Sequence, residues 1–325
     1  MTPRDVPGAA MAPAIEAAAA TTTQTITILL STYNGEAYLA EQLASFEAQT
    51  HRRWRLLWRD DGSTDGSVAL MRDFAARVGP ARCRESASSG PHFGAAESFL
   101  SLLRDAADAE AVAFADQDDV WLPEKLARAA AALAGGGDAP LLYCARYFLV
   151  DQALQGRRLS PLPRVRPGFP ASLTQNIAPG NTMVMNRAAA DLIAALPAPA
   201  GTIHDWWSYI VVTACGGAVV MDPEPVVLYR QHDHNLIGTP PSAFARARSA
   251  IRRGPEPYMG LMRRHVGQLT AHCDRLSAAA RRDVAQIERG LAGGVTGRVA
   301  TMRCPGFARQ SSLENALFRL WLLLG

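Results

Sequence analysis

The chain has 325 residues, of which 48% are hydrophobic and 19% charged, with a formal net charge of +3. That is enough apolar content for a sizeable core, and it excludes a disordered or collagen-like chain. Five cysteines, Cys83, Cys144, Cys215, Cys273 and Cys304, are scattered without Cys-x-x-Cys spacing, which excludes a disulfide framework or a structural zinc site and fits a reducing, cytoplasmic setting. Residues 1–24 are rich in Ala, Thr and Pro and lack the pattern of a secretory signal, so they read as a disordered extension. No run approaches the roughly 18 apolar residues of a membrane span.

In chain order, Thr25 to Ser31 is β-branched, apolar and uncharged, as a strand buried on both faces should be. Asn34 then stands where it can cap a helix carrying Leu39, Leu43 and Phe46 at helical spacing. A second strand, Trp54 to Trp58, runs into the turn-rich Asp60-Asp61-Gly62-Ser63-Thr64-Asp65-Gly66, followed by a helix with Val68, Leu70, Met71 and Phe74. A helix around Glu97 to Asp105 precedes a third inner strand, Ala111 to Ala115, which stops at Asp116-Gln117-Asp118-Asp119. Pro123 suits the first turn of the next helix. Further strands are suggested at Leu142 to Val150, Thr182 to Met185 and Ala218 to Met221. From Thr239 onward arginines such as Arg246, Arg248, Arg252 and Arg253 stand among helix formers, and Leu317 to Leu324 is strongly apolar, giving a basic helical C-terminal region over 239–325.

Alternating strands and helices imply a doubly wound α/β sheet, in which ligands bind at the carboxyl ends of the strands. Three polar loops fall at such ends. Asp116 and Asp118 put carboxylates on one short loop, as a divalent cation shared with substrate phosphates requires; an acidic cap on the next helix explains the same letters. Asp60 and Asp61 could hold a base or ribose, or simply build a polar turn. Thr32, Tyr33 and Asn34 offer hydroxyls and an aromatic face, or a helix cap and a packed ring. His204-Asp205-Trp206-Trp207 could supply a general base beside sugar-stacking indoles, or a capped helix with core tryptophans. Arg230 and His232, after the strand-like Val226-Val227-Leu228, could meet a diphosphate and a metal, or be solvated loop residues.

In their order these motifs resemble the family 2 glycosyltransferases of the GT-A fold, most closely the bacterial rhamnosyltransferase-like members. The resemblance runs from about Ile26 to Gly238 through Ser31-Thr32-Tyr33-Asn34-Gly35, Asp60 to Asp65, Asp116-Gln117-Asp118-Asp119-Val120-Trp121-Leu122-Pro123-Glu124-Lys125-Leu126, Pro179-Gly180-Asn181-Thr182, His204 to Trp207, and Tyr229 to His232. It implies a GT-A domain over 25–238, with a mostly parallel sheet flanked by helices, and a nucleotide-diphosphate sugar donor, dTDP- or UDP-linked. Thr32, Tyr33, Asn34, Asp60, Asp61 and Asp116 would hold the nucleotide. Asp116, Asp118 and His232 would hold Mn2+ or Mg2+, Asp205 would be the catalytic base, and Gly180, Asn181, Thr182, Trp206 and Trp207 would frame the acceptor. The sequence departs from the pattern at Ala96-Glu97 and at Asn181. The implied reaction is inverting transfer of a sugar, rhamnose among the candidates, to a cell-surface polysaccharide or lipid-linked saccharide. A non-catalytic sugar-nucleotide-binding or scaffold protein of the same fold is the alternative. No nucleic-acid partner is expected, and the basic C-terminal region suggests peripheral contact with the inner face of the cytoplasmic membrane.

Overall fold

The computed structural model describes residues 23–232, 252 and 254–324. Residues 1–22 of the expected N-terminal extension, the 238/239 boundary, and Arg246, Arg248 and Arg253 lie outside those residues. Strand β1 (Ile26–Thr32) is flanked by α1 (Glu36–Glu47) and β2 (Trp54–Asp60), then α2 (Ser67–Val78), β3 (Cys83–Glu85), α3 (Ala95–Asp105) and β4 (Ala111–Ala115). A short β5 (Val120–Trp121) leads into α4 (Lys125–Ala134), β6 (Leu141–Val150) and β7 (Arg158–Leu159). After α5 (Ala171–Thr174) come β8 (Val184–Asn186), α6 (Arg187–Ala195), α7 (His204–Ala214) and the long β9 (Ala218–Arg230). The described C-terminal helices are α8 (Glu256–Ala271), α9 (Ala278–Ala292), α10 (Val295–Thr301) and α11 (Ser312–Leu324).

Among the described residues, nine strands form one sheet in the order β3-β2-β1-β4-β8-β6-β9-β5, with β7 added to β6. β1 pairs in parallel with β2 and with β4, Thr32 opposite Asp60 and Leu30 opposite Ala115. β8 runs against both of its neighbours, so β6 and β9 share the direction of β4; with β5 against β9 and β7 against β6, the sheet is mixed rather than mostly parallel as expected. That common direction brings the loops after β1, β2, β4 and β9 to one edge. Because successive side chains on a strand point to opposite faces, Ile26, Ile28 and Leu30 of β1 enter one apolar cluster with Phe46, Trp54 and Met71, and Leu29 enters the other with Phe99, Phe114 and Trp207. Each such buried aliphatic side chain contributes about 1.5–3 kcal/mol, which fixes the register and with it the loop positions.

Several local expectations change. The stretch expected as a strand from Thr182 splits: Gly180–Thr182 is a 3-10 turn and only Val184–Asn186 pairs with β4 and β6. β9 runs well past Met221, through Pro223 and Pro225, and its pairing with β6 absorbs them by register shifts at Arg146. Pro123 lies ahead of the helix, which begins at Lys125 after Glu124. The C-terminal helices do not stand apart, since Met259, Met262, Val266, Ile287, Phe318 and Trp321 join the same apolar cluster as Trp207. Among the described residues no helix is long and apolar enough to cross a membrane.

Candidate active site

The loop after β2 is closed by its own carboxylates. Asp60 accepts from the backbone N–H groups of Gly62 and Ser63, both at 2.9 Å, and from the Thr32 hydroxyl at 3.3 Å. Asp61 accepts from Arg59 Nη1 at 2.5 Å, Ser98 Oγ at 2.8 Å, and the N–H groups of Phe93 and Gly94 at 2.7 and 2.9 Å. Burial alone would push its carboxyl up, but those donors hold it below the ordinary carboxylate range. Arg59 is fully buried, donates also to the Pro91 carbonyl, and lies 4.0 Å beneath the Phe93 ring. Thr32 is likewise buried, so its side chain supports this loop and presents nothing to a ligand.

Asn34 does not cap α1. It sits at φ 48, a conformation asparagine tolerates; Gly35 takes the cap position, and the Asn34 amide oxygen accepts from Thr64 N at 2.8 Å. Asn34 thus ties the loop after β1 to the loop after β2. Tyr33 is anchored by its backbone, its N–H donating to Gln117 Oε1 at 2.8 Å and its carbonyl accepting from Gln117 Nε2 at 2.9 Å, while its ring is 47% exposed. Gln117, the unspecified middle letter of the acidic motif, therefore fastens the loop after β4 to the loop after β1. Gly35 lets the Gln117 amide approach there, since a Cβ would meet Gln117 Oε1 at 2.2 Å and the side chain would have to shift.

The loop after β4 is built differently. Burial and the neighbouring Asp118 and Asp205 charges push the Asp116 carboxyl up to about 7, against the pull of Lys125. Asp119 is fully buried, accepts from Asn181 Nδ2 at 2.6 Å and Arg230 N at 3.1 Å, and is also raised, by burial and by its two acidic neighbours. Lys125, absent from the sequence-level candidates, is buried behind the loop with Nζ 2.5 Å from the Asn181 carbonyl and 3.1 Å above the Trp121 ring. Asp118 stays partly accessible, with Oδ2 3.0 Å from His232 Nε2, and the His232 ring stacks on Tyr38 at 4.7 Å. Arg230 is drawn into scaffolding: its Nε donates to the Asp118 carbonyl at 2.9 Å, and its other nitrogens to the Gln152 carbonyl and the Glu41 carboxylate.

Among the described residues no three His, Cys, Asp or Glu side chains converge as a complete cation cage. The donor chemistry of the Asp116 and Asp118 carboxylates is nonetheless of the kind magnesium or manganese takes, one or two protein carboxylates with further ligands drawn from substrate phosphates. Asp118 Oδ2 and His232 Nε2 are hydrogen-bonded to each other at 3.0 Å.

Asp205, in the first turn of α7, accepts from Gly180 N at 3.0 Å and from Trp206 N at 2.5 Å. Burial pushes its carboxyl up to about 6 despite those donors. Ile203, not Asp205, takes the cap position of the helix. The acceptor frame needs correction. Trp207 is fully buried, donates to the Leu196 carbonyl at 3.1 Å and stacks on His265, so it belongs to the core. Asn181 and Thr182 are buried too, Asn181 holding Asp119 and Thr182 bonding the Pro179 carbonyl and Ala145 N. Trp206 remains partly exposed beside Asp205, its indole N–H donating to the Ser172 carbonyl. Gly180 is pressed against His204 and Asp205, where a Cβ would meet His204 Nε2 at 2.8 Å. Glu97, where the sequence departs from the family pattern, is exposed and pairs with Arg104 on its own helix.

Comparison with known proteins joins this geometry to a chemistry. The family model for glycosyl transferase family 2 matches residues 27–191, half of the chain. The chain is 26% identical over 221 residues to the dTDP-rhamnosyl transferase RfbG of Shigella flexneri, covering 64% of this chain and 73% of that protein. It is 28% identical over 215 residues to the uncharacterized protein Rv1520 of Mycobacterium tuberculosis, covering 65% of this chain and 60% of that one. Among solved structures, residues 1–349 of S. aureus TarS in complex with UDP-GlcNAc superpose with a TM-score of 0.58 at 17% identity, over 81% of this chain and 71% of that one. At that identity the likeness concerns the fold, which is GT-A.

Proposed function

From the premise that the chain belongs to glycosyl transferase family 2 and is a nucleotide-sugar glycosyltransferase, we propose that it transfers a sugar by metal-assisted inversion, with Asp205 as general base. The observation that carries the reading is the convergence of Asp116, Asp118 and Asp205 at the carboxyl edge of the sheet, where Asp118 and Asp205 stand close enough to help burial push the Asp116 carboxyl up. Asp116, Asp118 and His232 would hold Mn2+ or Mg2+, which would supply charge neutralisation on the departing diphosphate. Tyr33, Asn34 and the loop carrying Asp60 and Asp61 receive the nucleoside. Asp205, held by the Gly180 and Trp206 N–H groups, takes the proton from the attacking acceptor hydroxyl, and a carboxyl with its pKa near 6 is ionised and still basic at neutral pH. Trp206 and the Gly180 backbone line the acceptor side.

For the donor, the similarity to a dTDP-rhamnosyl transferase supports dTDP-rhamnose, with UDP-sugars the other class. The acceptor is a saccharide of the cell surface, free or lipid-linked. The test is turnover of dTDP- and UDP-sugars with and without Mn2+, followed by manganese titration of Asp118→Ala in the presence of nucleoside diphosphate. Turnover indifferent to metal, or undiminished metal binding in the variant, would remove the cation from the reading.

The C-terminal helices support a peripheral position at the inner face of the cytoplasmic membrane. Leu313, Leu320 and Leu324 of α11 and Val295 and Val299 of α10 are exposed, and Arg298 between those valines reaches the Leu323 carbonyl at 3.0 Å. An apolar face set among arginines suits an anionic bilayer surface. Flotation with anionic vesicles should weaken in Leu320→Glu/Leu324→Glu; equal flotation of variant and parent would remove these helices from that role.

A further inference from the structure

We propose that His92 reads the base of the donor, accepting a hydrogen bond from the ring N–H of a uracil or thymine; this rests on placing the nucleoside against the loop after β2. His92 lies between β3 and α3, and its side chain is 60% exposed. Its ring centroid stands 4.8 Å from that of Tyr33, itself 47% exposed. The two rings are open to solvent at the carboxyl edge of the sheet and tilted 43° to one another, so a flat heterocycle can lie on the Tyr33 face and meet the His92 ring at its edge.

The imidazole is fixed at one end only. Nδ1 is 3.0 Å from the Asp61 carbonyl and 3.0 Å from Asp61 Oδ2. Both are acceptors, and a carboxylate already receiving bonds from Arg59, Ser98, Phe93 and Gly94 has no proton to offer. Nδ1 must therefore carry the hydrogen. In the neutral ring that leaves Nε2 bare, as an acceptor. The support beneath is rigid: Phe93 and Gly94 bond Asp61 through their backbones, the Phe93 ring covers Arg59, and Gly90 N donates to the Asp60 carbonyl at 2.9 Å. Gly90 and Gly94 bracket the segment at φ 107 and 80, turns that other residues adopt only with strain.

A bare imidazole nitrogen discriminates between pyrimidines by sign. Uracil and thymine carry N3–H, a donor; cytosine has a bare N3, and two acceptors facing each other lose the bond and repel. One such hydrogen bond is expected to give about tenfold in affinity.

The experiment is calorimetric titration of the full chain, with Mn2+ present, by UDP, dTDP, CDP and N3-methyl-UDP. The parent should bind UDP and dTDP about tenfold more tightly than CDP or N3-methyl-UDP, and His92→Phe, which keeps a ring but no acceptor, should bind all four within about twofold of one another. Discrimination retained in His92→Phe while Tyr33→Ala weakens every ligand would overturn the role of His92 and leave the nucleoside placement standing. If Tyr33→Ala changes no affinity, the placement itself fails and the proposal with it.

Discussion

Two acidic loops stand at the same sheet edge, on either side of the loop after β1, and are built on opposite principles. The loop after β2 surrounds Asp60 and Asp61 with donors, including a buried guanidinium, so its carboxylates are spent on holding backbone in place. The loop after β4 sets Asp116, Asp118 and Asp119 close together with Asp205 nearby, and the Asp116 and Asp119 carboxyls are pushed upward by burial and by neighbouring acidic charges. The first is a finished structure. The second is a charge imbalance that a cation would relieve. Identical letters in a sequence thus take different work according to how many N–H groups the fold directs at them.

The comparison can be broken most sharply at Asp205, which borders the second loop. Asp205→Asn should lower kcat by about 10²–10⁴-fold while leaving nucleoside diphosphate affinity within about twofold, read by steady-state kinetics and calorimetry. Normal turnover would take Asp205 out of the base role. In the parent, kcat should fall about tenfold per pH unit below pH 6, because the base must be ionised and its carboxyl titrates at about 6.

At the first loop the large effect should be on stability. Asp61→Asn leaves the Arg59 guanidinium buried without its counter-charge, a loss of about 3–5 kcal/mol, or a fall of about 10 °C in Tm. Asp116→Asn, the same chemical change one loop away, removes a like-charge contact and should raise the Tm of the metal-free protein by about 3 °C. Differential scanning calorimetry in chelator decides it. Two shifts of the same sign would mean that the loops do not differ in the way proposed.

Periodicity and buried apolar runs made β1, β2, β4 and most helices legible, because a strand covered on both faces has little freedom in composition. The short β3 and β5 were not, since two or three residues carry no period and owe their pairing to neighbours. Asp118 stood out in the acidic stretch that ends an apolar run, and Asp205 as a carboxylate beside two tryptophans. Arg59, Gln117 and Lys125 did not, because their roles are set by partners far along the chain: Ser98, Tyr33 and Asn181. Trp207 shows the reverse failure. Beside Asp205 in the sequence it looked like a sugar platform, but adjacent helical positions point about 100° apart, and it turns into the core while Trp206 stays near the surface.

The finest test of the comparison is the pH dependence of stability. Asp61 has its carboxyl lowered in the folded state, so its contribution is present above pH 3.8 and is lost as pH falls through the folded value. Asp116 has its carboxyl raised to about 7, so its contribution is fully present below pH 3.8 and is lost as pH rises toward 7. Urea unfolding in chelator between pH 4.5 and 8 should therefore show the Asp116→Asn variant gaining on the parent as pH rises, with a slope no steeper than about 1.4 kcal/mol per pH unit and flattening above 7. The deficit of Asp61→Asn should stay constant over the same range, because the parent carboxylate is ionised throughout. Parallel curves for parent and Asp116→Asn would show that the second loop bears no strain of charge, and with it would go the reason to expect a cation there.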